Sequence, residues 1–231
     1  MAAFGDKRLV IFDIDGTLLA TNRFWLDVGR RAVTTVYRRH GVDAPLPADG
    51  AFLGAIGQPM GVFWQHVLPE AQHRLAPEIE SEAQELEEAA FRQGLGAMYP
   101  GAAGLLRDLH SAGRSLALAS NCGLRYLRGF IGAFDLAPLL AEARCVDSPG
   151  IASKADMIGD ILLHTGNPPE AAVMIGDRDS DRDAAAANRV PFLLFTGGFD
   201  PLAPRPGDGV ARDYAELRKL LLPDDGRTRG T

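Results

Sequence analysis

The chain has 231 residues, 46% of them hydrophobic, enough for a substantial buried core in one domain or in a core with a smaller insert. Its 24 Lys+Arg against 30 Asp+Glu give a formal charge of −6, which offers no excess attraction to nucleic acid or to an anionic membrane surface. Cys122 and Cys145 are too few for a disulfide framework, no signal-type segment precedes the first strand, and no run approaches the roughly 20 apolar residues of a membrane span, so a soluble cytoplasmic protein with reduced thiols is expected.

The run Leu9-Val10-Ile11-Phe12 is continuously apolar and predicts a short buried parallel strand over 8–12. It gives out at Asp13-Ile14-Asp15-Gly16-Thr17. Two carboxylates at a strand end are pushed toward one opening, with glycine letting the backbone turn sharply behind them. Like charges this close raise one another's pKa unless a cation sits between them, so the pattern asks for a divalent metal or a shared proton.

From Asn22 to about His40, Trp25, Val28, Ala32, Val33, Val36 and Tyr37 recur at helical spacing, with Arg30, Arg31, Arg38 and Arg39 on the wetter side and Gly41 closing the helix. A stretch punctuated by Pro and Gly follows from Pro45 to Gly61, then Val62 to Leu68, then an acidic helix from about Pro77 to Gln93. No strand is needed here. Gly94, Gly96, Pro100 and Gly101 make a second breakpoint, so residues 20–96 read as an all-helical insert between the pieces of an α/β core, 1–19 and 97–222.

After the insert, helix and strand alternate: helix Ala102 to Ala112, strand Ser115 to Ala119, helix Cys122 to Gly132, a brief strand Ala143 to Val146, and helix Lys154 to His164. A strand from Ala171 to Ile175 runs into Gly176-Asp177. A helix containing Ala184 to Ala187, a strand Val190 to Phe195 and a last helix Asp213 to Leu222 complete the series, and residues 223–231 read as a frayed tail. The fold class is therefore α/β, a doubly wound parallel sheet with an inserted all-helical cap. Ligands of such sheets bind beyond the carboxyl ends of the strands, so Asp13 and Asp15, Ser120 and Asn121, and Asp177 and Asp181 should converge, with Lys154 at the same rim.

Asp13-Ile14-Asp15-Gly16-Thr17-Leu18, Ser120-Asn121, Lys154, and Gly176-Asp177 with Asp181 resemble the four motifs of the haloacid dehalogenase superfamily, in their usual order across residues 9–195. The insert is similar to the cap of the phosphoglycolate phosphatase-like members, and Gly57-Gln58-Pro59-Met60 resembles their cap sequence Gly-x-Pro-Leu. Lys154 is followed by Ala155, where many of those relatives carry proline. The resemblance implies a Rossmann-like core and a Mg²⁺-dependent phosphatase acting on a small phosphorylated metabolite. It assigns Asp13 as the nucleophile that forms an aspartyl-phosphate, and Asp15 as the acid that protonates the leaving group and then activates water. It also assigns Lys154, Ser120 and Asn121 to the phosphate, Thr17 to shaping the loop, and the metal to Asp13, the Asp15 carbonyl and Asp177. Asp181 is placed with the metal's waters or as the group that orients Lys154.

Within the superfamily, a 2-haloacid dehalogenase does not need a metal-binding acid pair, whereas a phosphomutase or a phosphonate hydrolase fits the same motifs. From another class, a metal-binding, phosphate-sensing module without turnover is the alternative. Elsewhere the readings are structural. Glu78, Glu80, Glu82, Glu85, Glu87 and Glu88 form a solvated cap face, Trp25, Phe63 and Trp64 are cap core, and Cys122 is a small packed side chain. Arg178 and Arg182 are surface or charge-balancing groups, and the histidines show no ligand spacing. Gln58, Met60 and Trp64 are the cap side chains named for leaving-group selection, and neither the substrate nor the oligomeric state follows from the sequence.

Overall fold

In the computed structural model, which describes residues 4–198 and 202–222 without the Met60 side chain, the first apolar run forms strand β1 (Leu9–Phe12). All four of its residues are buried, because both faces of the strand are covered. Val10 and Phe12 belong to one hydrophobic cluster, and Leu9 and Ile11 belong to another on the opposite face. The remaining strands are β2 (Ser115–Ala119), β3 (Leu140–Arg144), β4 (Ala172–Gly176), β5 (Phe192–Phe195) and β6 (Gly209–Ala211). They form one parallel sheet in the order β3-β2-β1-β4-β5-β6.

Helices α5 (Ala102–Ser111), α6 (Leu124–Ala133) and α9 (Tyr214–Leu221) cover one face through Leu105, Leu127, Phe130 and Leu217. Helices α7 (Lys154–Thr165) and α8 (Asp179–Ala187) cover the other through Met157, Ile158, Ile161, Ala184 and Ala185. The sheet is thus doubly wound, and the chain leaves β1 for opposite sides of the sheet, which opens a crevice at the carboxyl ends of β2, β1 and β4.

Between β1 and β2 the described elements include helices α1 (Trp25–Arg39), α2 (Asp49–Ala55), α3 (Met60–Val67) and α4 (Ala76–Arg92), with no strand among them. Helix α1 buries Trp25, Val28, Ala32, Val33, Val36 and Tyr37, the stripe its spacing predicts. Its outer side pairs Arg39 with Glu78 and Glu82 at 2.6 and 3.2 Å, exposed contacts that solvent screens and that contribute little. No described helix is long and apolar enough to cross a membrane.

Several boundaries differ from expectation for identifiable reasons. Strand β3 begins at Leu140, ahead of the expected Ala143, because an edge strand is only half covered and Glu142 and Arg144 mask its pattern. The helix expected from Cys122 starts at Leu124 instead, whose N–H donates to Asp147 Oδ2 at 2.7 Å, leaving residues 120–123 as a loop at the site. Helix α2, with two glycines in seven residues, and the three-residue β6 carry too little periodicity to be read. The expected tail, 223–231, lies outside the described residues.

Candidate active site

Asp13 follows β1 directly, and its N–H donates to the Ile175 carbonyl at 2.9 Å, which continues the ladder with β4 and delivers the side chain at the strand end. Lys154 opens α7 behind Ser153, whose side chain caps the helix by accepting the Asp156 N–H at 3.2 Å. The Lys154 ammonium donates to Asp13 Oδ1 at 2.7 Å and to Asp181 Oδ1 at 2.6 Å. Asp181, in the first turn of α8, accepts the Arg178 N–H on Oδ2 at 3.0 Å, so both of its oxygens are engaged. Asp177 Oδ1 accepts from the Thr17 hydroxyl at 3.0 Å, while Oδ2 has no hydrogen-bond partner among the described residues and lies 3.5 Å from Arg178 Nε.

Two glycines make this packing possible. A Cβ on Gly16, where φ is +86°, would stand 2.3 Å from Asp177 Oδ2. A Cβ on Gly176 would stand 2.3 Å from Asp181 Oδ2. The D-x-D-G and G-D motifs thus have a steric reason for their glycines: each acid sits against the other motif's bare backbone or against its own.

Asp13, Asp177 and Asp181 are buried with carboxylate oxygens within 4.8 Å of one another. Burial, then the neighbouring acids, raises Asp13 well above the usual carboxylate range against the pull of Lys154. Burial and Asp181 push Asp177 up to about 7. Burial alone would lower Lys154, yet Asp13 and Asp181 hold it above the ordinary ammonium range. Three clustered carboxylates face this ammonium, an excess of negative charge that a divalent cation would offset. The orphaned Asp177 oxygen and the all-oxygen donor set fit a hard ion such as Mg²⁺, whereas Asp181, with both oxygens occupied, fits the role of holding Lys154.

Asp15 faces the other way. Its Oδ1 accepts from the Thr21 hydroxyl and from the Tyr126 hydroxyl, each at 2.6 Å, and no hydrogen bond from a described residue engages Oδ2. Burial raises its pKa, and these two hydroxyls work against the rise. The carboxyl borders a cavity of about 40 Å³ whose walls include Thr21, Trp25, Glu87, Asn121 and Tyr126. Neither Thr21 nor Tyr126 was identifiable as a site residue from the sequence. Thr21 had a faint signal, a hydroxyl four residues past Thr17, but Tyr126 had none because its approach depends on where α6 packs.

Glu87 corrects the expectation that the acidic run of α4 is a solvated face. It is 5% exposed, on the stripe that also buries Ile79, Ala83 and Phe91, and spacing at i+4 marks it as inward-facing. Trp25 Nε1 donates to Glu87 Oε1 at 2.5 Å, and burial pushes the carboxyl up to about 8. Trp25 and Phe63 pack edge to face at 4.7 Å as core, and both also line the cavity. Arg182, expected at the surface or in charge balance, is buried in a pairing with Asp208 at 2.9 Å, with Asp179, and over the Phe192 ring.

Ser120 is buried at the end of β2, where its N–H donates to the Arg144 carbonyl at 3.1 Å. Asn121 turns its amide outward from the sheet to donate to the Gly57 carbonyl at 3.0 Å, tying the crevice to the turn between α2 and α3. Burial drives the Cys122 thiol well up, as a packed side chain and not an activated nucleophile requires.

Residues 7–189 match the family described as haloacid dehalogenase-like hydrolase. Among curated proteins, the chain is 30% identical over 196 residues to the tyrosine-protein kinase PtkA of Mycobacterium tuberculosis, covering 83% of this chain and 63% of that one. It is 28% identical over 229 residues to the phosphoglycolate phosphatase of Cereibacter sphaeroides, covering 92% and 96%. Among solved structures, a predicted phosphoglycolate phosphatase from Haemophilus somnus superposes with a TM-score of 0.78 at 19% identity, covering 93% and 98%. CbbY from Rhodobacter sphaeroides in complex with Xylulose-(1,5)bisphosphate superposes with a TM-score of 0.75 at 22% identity, covering 94% and 100%. The chain spans 63% of the length of the mycobacterial relatives.

Proposed function

Since this chain belongs to the haloacid dehalogenase-like hydrolase family, we propose that it is a Mg²⁺-dependent phosphomonoester hydrolase that acts on a small phosphorylated metabolite through an aspartyl-phosphate on Asp13. In this reading residues 20–96 form a cap over a core made of 1–19 and 97–222. The observation that carries it is the buried cluster in which Lys154 bridges Asp13 and Asp181 while one oxygen of Asp177 has no hydrogen-bond partner among the described residues.

A phosphate monoester is a dianion that repels a carboxylate nucleophile, so attack needs positive charge on the transferring oxygens. Mg²⁺, held by Asp13, Asp177 and the Asp15 carbonyl, supplies that charge when bound. Lys154 adds a second cation fixed by Asp181, and the Ser120 hydroxyl donates to a phosphate oxygen. Asp13 attacks phosphorus as the bond to the leaving oxygen breaks, and Asp15, with Oδ1 held by Thr21 and Tyr126, delivers a proton from Oδ2 to the leaving alkoxide. As a carboxylate, Asp15 then takes a proton from the water that attacks the aspartyl-phosphate, which releases inorganic phosphate and restores Asp13.

The test is phosphate release from a panel of small phosphomonoesters with and without Mg²⁺. Metal-dependent release that Asp13→Asn abolishes supports the reading, and no release from any ester overturns it. The similarity to the mycobacterial kinases favours a second reading, phosphoryl transfer to a protein tyrosine. Incubation with ATP and tyrosine peptides separates the two, because a hydrolase yields free phosphate and no phosphopeptide.

A further inference from the structure

The cavity beside Asp15 lies where a leaving group must sit to receive that residue's proton, so its chemistry describes the alcohol half of the substrate. Its polar walls include Asp15, Glu87, Gln58, Gln84, Asn121 and Tyr126, and no Lys, Arg or His is among the described residues that line it. Two arginines stand just outside its walls. Arg178 lines the neighbouring cleft with Asp179 and Ser180, beyond Gly57 and Asn121, and stands 3.5 Å from Asp177. Arg125 pairs with Glu88 at 2.9 Å and lines a separate cleft.

A carboxylate in this cavity would be stripped of water with no cationic side chain among the described lining residues to pair with it, and an unpaired buried charge is costly. Groups that both donate and accept would find partners there, since the Gln and Asn amides and a protonated carboxyl offer both. Packing alone does not account for Glu87: an apolar residue would fill the α4 stripe without the cost of burying a carboxyl. Among the described residues its hydrogen-bond partner is Trp25, on Oε1, so Oε2 is left for a ligand. Burial pushes this carboxyl up to about 8, which favours the protonated form that both donates and accepts. Trp25 and Phe63 add an apolar wall that suits the C–H face of a polyol. The volume, about 40 Å³, admits only a few heavy atoms, since one water needs roughly 10–15 Å³.

We infer that the leaving group is a short, hydroxyl-bearing alcohol without a carboxylate, recognised through Glu87 and the flanking amides, so that the substrate is a small polyol phosphate and not the phosphate ester of a hydroxy acid. This rests on the phosphatase reading above.

The experiment measures kcat/KM on the full chain with Mg²⁺ for two pairs matched in length, 2-hydroxyethyl phosphate against 2-phosphoglycolate and glycerol 3-phosphate against 3-phosphoglycerate. The uncharged member of each pair should be preferred by at least roughly tenfold, mostly through KM. Glu87→Leu should erase the advantage of 2-hydroxyethyl phosphate over ethyl phosphate, and Glu87→Gln, which keeps an uncharged hydrogen-bonding group, should retain it. A preference for the carboxylate-bearing esters overturns the inference and leaves the phosphatase reading standing. Release from no ester overturns that reading and the inference with it, and an unchanged hydroxyl preference in Glu87→Leu overturns the role of Glu87.

Discussion

The Tyr126 hydroxyl donates to Asp15 Oδ1 at 2.6 Å, joining residues 111 apart in sequence, and Thr21 donates to the same oxygen from the other side. With both bonds on Oδ1, the carboxyl cannot rotate freely, and Oδ2 is left without a hydrogen bond from a described residue. Tyr126→Phe keeps the ring packed on Phe91 and removes only the donor. It should lower kcat by about tenfold with little change in KM, the signature of a group that positions the proton donor and not the substrate. Steady-state kinetics check this, and a KM effect with kcat intact would contradict it.

Asp177 and Asp181 are four residues apart, yet their hydrogen bonds assign them different work. Asp177 has a buried oxygen without a hydrogen-bond partner among the described residues, whereas Asp181 spends both oxygens on Lys154 and the Arg178 N–H. Asp177→Asn should therefore weaken Mg²⁺ binding by more than roughly a hundredfold, and Asp181→Asn by about tenfold, as expected for a group one step removed from the metal. Calorimetric titration with Mg²⁺ measures both, and equal losses would remove the distinction.

Lys154 stands between two buried acids, so its removal leaves like charges without compensation. Lys154→Met should destabilise the fold by about 3 kcal/mol in urea unfolding and abolish measurable turnover. The double variant Lys154→Met/Asp181→Asn should recover part of the stability and none of the activity, because one stranded carboxylate is gone while the cation at Asp13 is still missing. A coupling of about 1–3 kcal/mol in the cycle is the expected outcome, and additivity would mean that the bridge contributes nothing.

How far this arrangement could be read beforehand follows from where each signal is stored. The central strands announce themselves because burial on both faces leaves an unbroken apolar run, as in Leu9-Val10-Ile11-Phe12, and the acids at their ends inherit a common location from the parallel topology. Edge strands lose that signal, which is why β3 was expected three residues late and β6 was not seen. The groups around Asp15 were less legible. Tyr126 reaches it from α6, more than a hundred residues further along the chain, a geometry that no local pattern encodes. Glu87 was legible and was masked by its neighbours: the position is on the Ile79-Ala83 stripe, but five other glutamates in the same helix suggest a wet surface.

Glu87 also makes a prediction that depends on pH. Its carboxyl is pushed from an ordinary 4.5 up to about 8, chiefly by burial, with Asp15 and Glu80 adding to the rise while Trp25 and Arg125 oppose it. Between these two values the folded chain holds a proton that the unfolded chain has released, so stability falls as the pH rises through that window, by up to about 1.4 kcal/mol per unit. Glu87→Gln keeps an acceptor for Trp25 Nε1 and cannot ionise. The variant should match the parent most closely below about pH 4.5, gain on it progressively toward pH 8, and hold a constant advantage of a few kcal/mol above that. Urea unfolding of both proteins at pH 5, 6.5 and 8 measures the difference. Parallel pH profiles would mean that Glu87 is ionised in the folded protein and that its carboxyl offers a ligand an acceptor and no donor.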